Sequence, residues 1–468
     1  MRVTIRPRAL CACGGAPLCA LWISTAVAAL PAYEVRDIGS LGGTTTQAAD
    51  LNEAGQVTGY SETADGELHG FLYSRGQLRD LGSLGGDGSL GNAVNNLGQV
   101  TGFAVTPGGQ THAVVYWNGS IMDLAITGSD SVGNDINNLG QIAGQRLGAD
   151  GLNRAFAYIA GITVDLKGPA GFDSYGTAIN DVGQVLGTYY DNAGSHAFLF
   201  SLGLKKDVVP GKVSSIYGSQ SLNVLGHVTG SFIDRGITHG FVYRNSRVTD
   251  IGSLGGDYSF GFALNILGDA TGVSARADGQ RHAFVYSAAR MSDVGTLGGT
   301  TSFGYAINAS KQVAGESTDK SGGFHAFVYS QGRLTDLGAA IEAMQGSGFV
   351  ESVAYGINGA GQVIGRYYVT VPGNPGQLRF RSFLATPVLQ LFDGLLRDVT
   401  GVGPGKSLQD KLAKARKAYV AQNKATACSG LSSLQKEIGA QTGKKIPPAS
   451  AAVLQGDVAS IASTLGCQ

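Results

Sequence analysis

The sequence predicts an all-β fold made of repeats, followed by a small α-helical region. Three observations carry this. The phrase Asn-x-x-Gly-Gln-Val-x-Gly recurs in variants that begin at Asn52, Asn95, Asn137, Asn180, Asn223, Asn265, Asn308 and Asn358. These are eight copies at steps of 42–43 residues, with one longer step of 50 at the end, and a fixed period of this size signals a repeat architecture. Each copy holds three turn signals separated by short β-favouring runs. After Pro387 the two-residue alternation gives way to helical spacing.

Within a repeat the first turn is Asn95-Asn96-Leu97-Gly98 or Asn180-Asp181-Val182-Gly183. The second is Asp-Gly or Gly-Gly, as at Asp65-Gly66, Gly108-Gly109, Asp150-Gly151, Asp278-Gly279 and Gly322-Gly323. The third is Arg75-Gly76, Asn118-Gly119 or Gln331-Gly332. Glycine and asparagine accept the positive φ of tight hairpins, so three turns predict four antiparallel strands per repeat. A lone four-stranded sheet leaves both faces bare. Radial stacking of successive sheets, an eight-bladed β-propeller, covers them. A parallel β-helix is the alternative, but its coils lack three sharp hairpins per period.

Small residues stand four positions before each repeat asparagine: Ala48, Gly91, Gly133, Gly176, Ser219, Gly261, Gly304 and Ala354. They suit an innermost strand where sheets converge. The last repeat ends at Phe383-Leu384-Ala385-Thr386-Pro387 without a fourth strand. The early segment Tyr33-Glu34-Val35-Arg36-Asp37-Ile38-Gly39 matches Gly76–Gly82, so it is the spare strand that would close the ring and remove exposed edges.

The sequence divides into a signal peptide over 1–32, the repeats over 33–387 and a helical module over 388–468. Arg2, Arg6 and Arg8 precede the apolar Leu18–Leu30 stretch, and Ala26-Val27-Ala28 has the small–x–small pattern of a cleavage site. No later stretch is long and apolar enough to span a bilayer. Export to the periplasm, cell surface or medium is expected. Net charge is zero over the 468 residues, yet residues 394–468 carry ten Lys/Arg against four Asp/Glu. The body is correspondingly acidic, which argues against nucleic acid as its partner. Cys11, Cys13 and Cys19 would leave with the signal. Cys428 and Cys467 remain, and an oxidising compartment predicts a disulfide between them.

In the tail, Leu391, Leu395, Leu396 and Val399 predict a short connecting helix. Ser407 three residues before Asp410 reads as a capping box, with Leu408, Leu412, Ala415 and Tyr419 on one face. Cys428, Leu431, Leu434 and Ile438 form the next stripe, and Leu454, Val458, Ile461 and Leu465 the last.

The phrases Asp80-Leu81-Gly82-Ser83-Leu84-Gly85-Gly86, Asn95–Gly102 and His282-Ala283-Phe284-Val285-Tyr286 resemble the bacterial extracellular HAF repeat over roughly residues 33–386. Arg154 and Arg381 stand where the pattern has His, and repeats three to five lack Ser-Leu-Gly-Gly. Cys428, Leu431, Gly443-Lys444-Lys445 and Cys467 are similar to the FIMAH-type helical module of secreted bacterial proteins, with Leu434 where that module has Phe. The resemblance implies export and a bacterial source, and no defined reaction.

His69, His112, His196, His239, His282 and His325 share one repeat position, so a ring spreads them apart and a metal cluster is not expected. They are read as structural, with the repeated aspartates (Asp37, Asp80, Asp123, Asp165, Asp207, Asp250, Asp293 and Asp336) accepting a hydrogen bond from that His or from turn amides. No Gly-x-Ser-x-Gly elbow, His-Glu-x-x-His, P-loop, sialidase box or Trp-Asp repeat occurs. No cofactor, catalytic residue or metal ligand is assigned.

Function in a repeat protein is expected where the repeat breaks. In repeat eight the Asp336–Ser352 connection is seven residues longer than Asp80–Ser89, and Gly365–Arg381 is six longer than Gly59–His69. Both loops emerge on one rim, with Glu342, Gln345, Arg366, Tyr367, Tyr368, Arg379 and Arg381. Aromatic and arginine enrichment marks a binding patch, or these loops dock the tail. Asp50 and Asp135, on the innermost strand, are a second candidate for a cation or for acid–base work, against a bland role as channel lining. Tyr189-Tyr190 is a candidate sugar platform. The sequence thus predicts a non-catalytic binding or scaffold protein for a glycan or envelope protein, with a carbohydrate-active lyase or hydrolase at the channel mouth as the alternative.

Overall fold

The computed structural model describes residues 32–126, 130–371, 373–403 and 405–467, so the expected signal peptide falls almost wholly outside the described residues. In the first repeat, Gly42–Leu51, Val57–Thr63, Leu68–Ser74 and Gln77–Asp80 pair antiparallel in chain order. The same order holds in the sheets that begin at Ser89, Ser131, Ser174, Ser214, Gly255 and Gly298, the last two joined by one parallel pair between Arg281 and Thr301. The last repeat supplies Phe349–Ile357, Val363–Val371 and Asn374–Pro387. Its outer strand is Tyr33–Asp37, with Val35 opposite Ala385, as the spare-strand match predicts.

Motif residues explain why these sheets stack. A Cβ placed on Gly91, Gly133, Gly261 or Gly304 would stand 2.2–2.3 Å from Oγ1 of Thr58, Thr101, Thr229 or Thr271 in the preceding repeat. Only glycine allows that approach. Ser89, Ser131, Ser174, Ser259 and Ser302 each accept a backbone N–H from the preceding sheet at 2.9–3.0 Å. The final glycine of the motif has a different reason. A Cβ on Gly59, Gly187, Gly315 or Gly365 would stand 1.9–2.3 Å from the carbonyl oxygen of Gln47, Tyr175, Phe303 or Val353 on the inner strand. On the other side they lie opposite Phe71, Phe198, Phe327 and Phe383, whose rings are buried between sheets. Sheets that converge at small residues and wedge apart on phenylalanine pack as a β-propeller.

The repeat asparagine links the sheets. Asn95 Oδ1 accepts the Leu97 and Gln99 amides at 3.0 Å each, which fixes the turn. Its Nδ2 donates to Asn137 O, 2.9 Å away in the next repeat. The same bond runs from Asn52, Asn137, Asn180, Asn223, Asn265 and Asn308 to the next repeat at 2.8–3.0 Å. Asn358 donates to Asn52 O at 3.1 Å. Gly98 at φ +78° completes the turn. Repeat seven has Lys311 there, at φ +59°.

The histidines hold the third strand to the fourth. Nδ1 of His69, His112, His239, His282 and His325 lies 2.7–3.0 Å from Asp80, Asp123, Asp250, Asp293 and Asp336. Those aspartates also accept turn amides, such as Gly82 N at 2.7 Å. Repeat four differs. His196 bonds Asp191, and Tyr189 donates its hydroxyl to Asp207 at 3.0 Å.

Helix α1 (Gly338–Gln345) lies in the long connection of repeat eight. The tail folds as α2 (Val388–Asp398), α3 (Ser407–Val420), α4 (Lys424–Gln441) and α5 (Pro448–Thr464) around one core that includes Phe392, Leu412, Leu431, Leu434 and Val458. Cys428 and Cys467 are disulfide-bonded, with Cα atoms 5.4 Å apart. The capping-box expectation is corrected. Lys406 is the N-cap residue of α3 with no side-chain cap bond, and Ser407 donates its hydroxyl to Glu437 on α4 at 2.8 Å. The tail meets the repeats at the N-terminal strand: Val388 N donates to Ala32 O at 2.9 Å, and Ser460 of α5 bonds Glu34 and Arg36.

Candidate binding site

The residues proposed on the rim of repeat eight divide by strand alternation. Tyr367 is fully buried. Its hydroxyl donates to Asp37 Oδ2 at 2.7 Å and accepts from Gln345 Nε2 at 3.1 Å. Arg381 occupies the histidine position and pairs with Asp37 at 3.1 Å. These two tie the N-terminal strand to the last repeat, which takes them out of a solvent-facing patch. Glu342 is exposed on α1, and Arg379 is partly buried on the long third strand. The tail contacts Tyr33–Asp37 through α5 and the strand Asn374–Pro387 through α2. Arg366 and Tyr368 point to the opposite face, with the Arg366 guanidinium 5.3 Å from the Tyr368 ring centroid.

Asp50 and Asp135 sit where the innermost strand bulges. Asp50 accepts Leu51 N at 2.8 Å and Val94 N of the next repeat at 2.9 Å. Asp135 accepts Ile136 N at 2.9 Å and Ile179 N at 2.7 Å. Each carboxylate is a clamp between repeats. Burial raises both, and Asp135 reaches about 7, with the Asp50 charge a smaller contribution. Tyr189 packs on His196, leaving only Tyr190 of that pair exposed.

The position three before each repeat asparagine faces the axis. It is occupied by Ala49, Asn92, Asn134, Thr177, Gln220, Phe262, Tyr305 and Tyr355. Aromatics are confined to the last three. With Tyr217, Gln47, Glu316 and Arg366 they line an axial cavity of about 470 Å³, drawn from repeats one, five, six, seven and eight. Gln220 Nε2 reaches from repeat five to Tyr355 O at 3.1 Å. The rings are close-packed: Tyr217 to Phe262 at 4.2 Å, Phe262 to Tyr305 at 5.6 Å, and Tyr217 to Tyr305 at 6.1 Å.

Repeat five makes this cavity. Ser214, whose hydroxyl accepts Ala197 N at 2.9 Å, takes the role of Ser259, but stands nine residues before Asn223 where Ser259 stands six before Asn265. The three extra residues cut the inner strand to Ser214–Ser215 and turn the chain through a 3-10 helix, Ser219–Ser221. Tyr217 is thereby pushed toward the axis.

The polar groups are matched to a ligand with several hydroxyl or amide groups. Tyr305 donates to Glu316 Oε1 at 2.8 Å. Burial raises the Glu316 carboxyl above the usual range; the Glu351 charge adds to this, and the Tyr305 hydrogen bond and Arg366 oppose it. Arg366 Nη1 donates to Gln47 Oε1 at 3.2 Å, while its buried Nε has no partner among the described residues. Among the described residues no cluster of His, Cys, Asp and Glu has the form of a metal site.

No family model matches the sequence, and no curated protein is detectably similar to it. Among solved structures, TolB from Acinetobacter baumannii is 10% identical, covering 76% of this chain and 96% of that one at a TM-score of 0.33. Pyrococcus horikoshii acylaminoacyl peptidase is 9% identical, with 71% of this chain, 58% of that one and a TM-score of 0.41. A puromycin hydrolase is 10% identical, with 71%, 59% and 0.40. The chain spans under two thirds of the length of either hydrolase.

Proposed function

We propose that this chain is an exported, eight-bladed β-propeller of the HAF-repeat type, closed by Tyr33–Asp37 and carrying a FIMAH-like helical module, and that it binds a glycan in its axial cavity. The observation that carries the reading is the convergence of Tyr217, Phe262, Tyr305 and Tyr355 with Glu316, Arg366, Gln47 and Gln220 in one concave site of about 470 Å³. Flat aromatic faces suit the C–H faces of sugar rings. The few convergent amide, carboxyl and guanidinium groups suit their hydroxyls, the composition that ligand sites favour. The Cys428–Cys467 bond is consistent with an oxidising compartment.

The second reading, a carbohydrate-active enzyme, rests on Glu316. A partly buried carboxyl with a raised pKa is suited to general acid work. A glycan array and a polysaccharide-degradation screen, each run on the protein and on Arg366→Ala, separate the readings. Binding without product, lost in Arg366→Ala, supports the binding module. Product release abolished by Glu316→Gln supports the enzyme. No signal in either screen rejects both and turns the search to an envelope protein.

A further inference from the structure

A larger cavity, about 710 Å³, opens beside the axial one, between the shortened inner strand of repeat five and the inner strand of repeat six. The two share only the Tyr217 and Phe262 rings among their walls. Its character is different. Ile216, Tyr258, Phe260, Phe262, Phe303 and Val273 make most of the wall, and Ser215, Ser231 and Gly261 keep it open. The axial cavity has a carboxyl, a guanidinium and two amides at its centre. The outer cleft has no charged group on its floor.

Its two charges stand at the rim. Arg281 begins the third strand of repeat six and is exposed, without an ion pair or side-chain hydrogen bond among the described residues. Asp257, on the inner strand, is likewise exposed and unpaired among them. The cleft exists because of the three-residue insertion at Ser215–Tyr217. An uninterrupted inner strand would run where its mouth is.

We propose that this cleft is a second binding site, for a ring-containing apolar ligand that carries a single acidic group. Its rings lie among Phe260, Phe262 and Phe303, and its acidic group meets Arg281. Asp257 repels a second acid. The volume falls within the 300–1,000 Å³ usual for small-molecule sites, and a guanidinium at an apolar rim holds a carboxylate or sulfonate through charge-assisted bonds. This inference does not rest on the glycan reading, since beyond the shared Tyr217 and Phe262 rings its walls and chemistry differ.

The probe is 8-anilinonaphthalene-1-sulfonate, titrated against the full-length protein by fluorescence, with circular dichroism confirming the fold of each variant. Saturable enhancement at one site per chain is expected. Arg281→Gln, at an exposed position, weakens it about tenfold, a factor in keeping with one lost charge-assisted bond. Phe303→Ala weakens it similarly, and Arg366→Gln in the axial cavity leaves it unchanged. Absence of saturable enhancement in the wild type overturns the proposal. So does equal affinity in the wild type and Arg281→Gln. Loss in Arg366→Gln, with the other variants unaffected, would move the probe to the axial cavity and overturn it too.

Discussion

Replacing Asn95 by alanine removes four hydrogen bonds at once. Asn95 Oδ1 no longer accepts the Leu97 and Gln99 amides, and Nδ2 no longer donates to Gln99 Oε1 and Asn137 O. The side chain is buried, so the partners left behind are only partly rescued by water. A net hydrogen bond contributes about 1 kcal/mol, and a buried group left unpaired costs about 1–3 kcal/mol. The turn amides recover part of this, which leaves an expected loss of about 2–4 kcal/mol. Urea unfolding followed by circular dichroism reads it as a lower midpoint at constant slope. Asn358→Ala should cost as much, because its bond to Asn52 O joins the last repeat to the first just as Asn95 joins neighbours. Asn95→Asp keeps both acceptor bonds but sets a carboxylate against the Asn137 carbonyl, so it should be no better than alanine at neutral pH. A loss under about 0.5 kcal/mol for Asn95→Ala would refute the claim that these asparagines bind the repeats together. A loss only at Asn95, with Asn358→Ala neutral, would refute closure.

Gly91→Ala places a Cβ 2.3 Å from Thr58 Oγ1 and should destabilise by about 1–3 kcal/mol, with Thr58→Ala relieving part of it in a double-mutant cycle. Burial raises Asp135 to about 7, above its unfolded value of about 4. The folded state therefore holds the proton more tightly, and this group's stability contribution is full below about pH 4 and lost as pH rises to about 7. Asp135→Asn should flatten that slope in urea midpoints taken at pH 5 and pH 8; an unchanged slope contradicts the assignment. Cys428→Ser should lower the stability of the α2–α5 module by about 2–4 kcal/mol, seen as an earlier loss of helical signal while the β signal persists, and reductant should mimic it.

Much of the fold is legible because each motif residue has one local task. Asn95, Gly98 and the Asp80–His69 pair act within a turn or between adjacent strands, so their spacing survives in the chain. The outer strand of the last sheet is readable from Tyr33–Gly39 because it repeats Gly76–Gly82. The capping box expected at Ser407 does not form because Ser407 has a nonlocal partner, Glu437. The site was harder still. Repeat five keeps a 43-residue step because its shortened connections offset the insertion after Ser214, so the period hides the break. The signal lay in columns rather than lengths. Tyr217 stands six before its asparagine, where the other repeats have Thr46, Ser89, Ser131, Ser174, Ser259, Ser302 and Ser352. Aromatics fill the axial column only at Phe262, Tyr305 and Tyr355. The longer loops of repeat eight were visible, but Tyr367 and Arg381 are committed to Asp37.

The most direct test of the account is binding of an array-identified glycan to two variants. Tyr217→Ala removes an exposed ring from the axial cavity, and Glu342→Ala with Arg379→Ala alters the outer rim of repeat eight. An aromatic platform is worth roughly 1–3 kcal/mol in analogous base stacking, so Tyr217→Ala should weaken binding about tenfold or more while the rim variant binds as the wild type. Full affinity in Tyr217→Ala, with loss in the rim variant, would contradict the account and place the site on the repeat-eight loops.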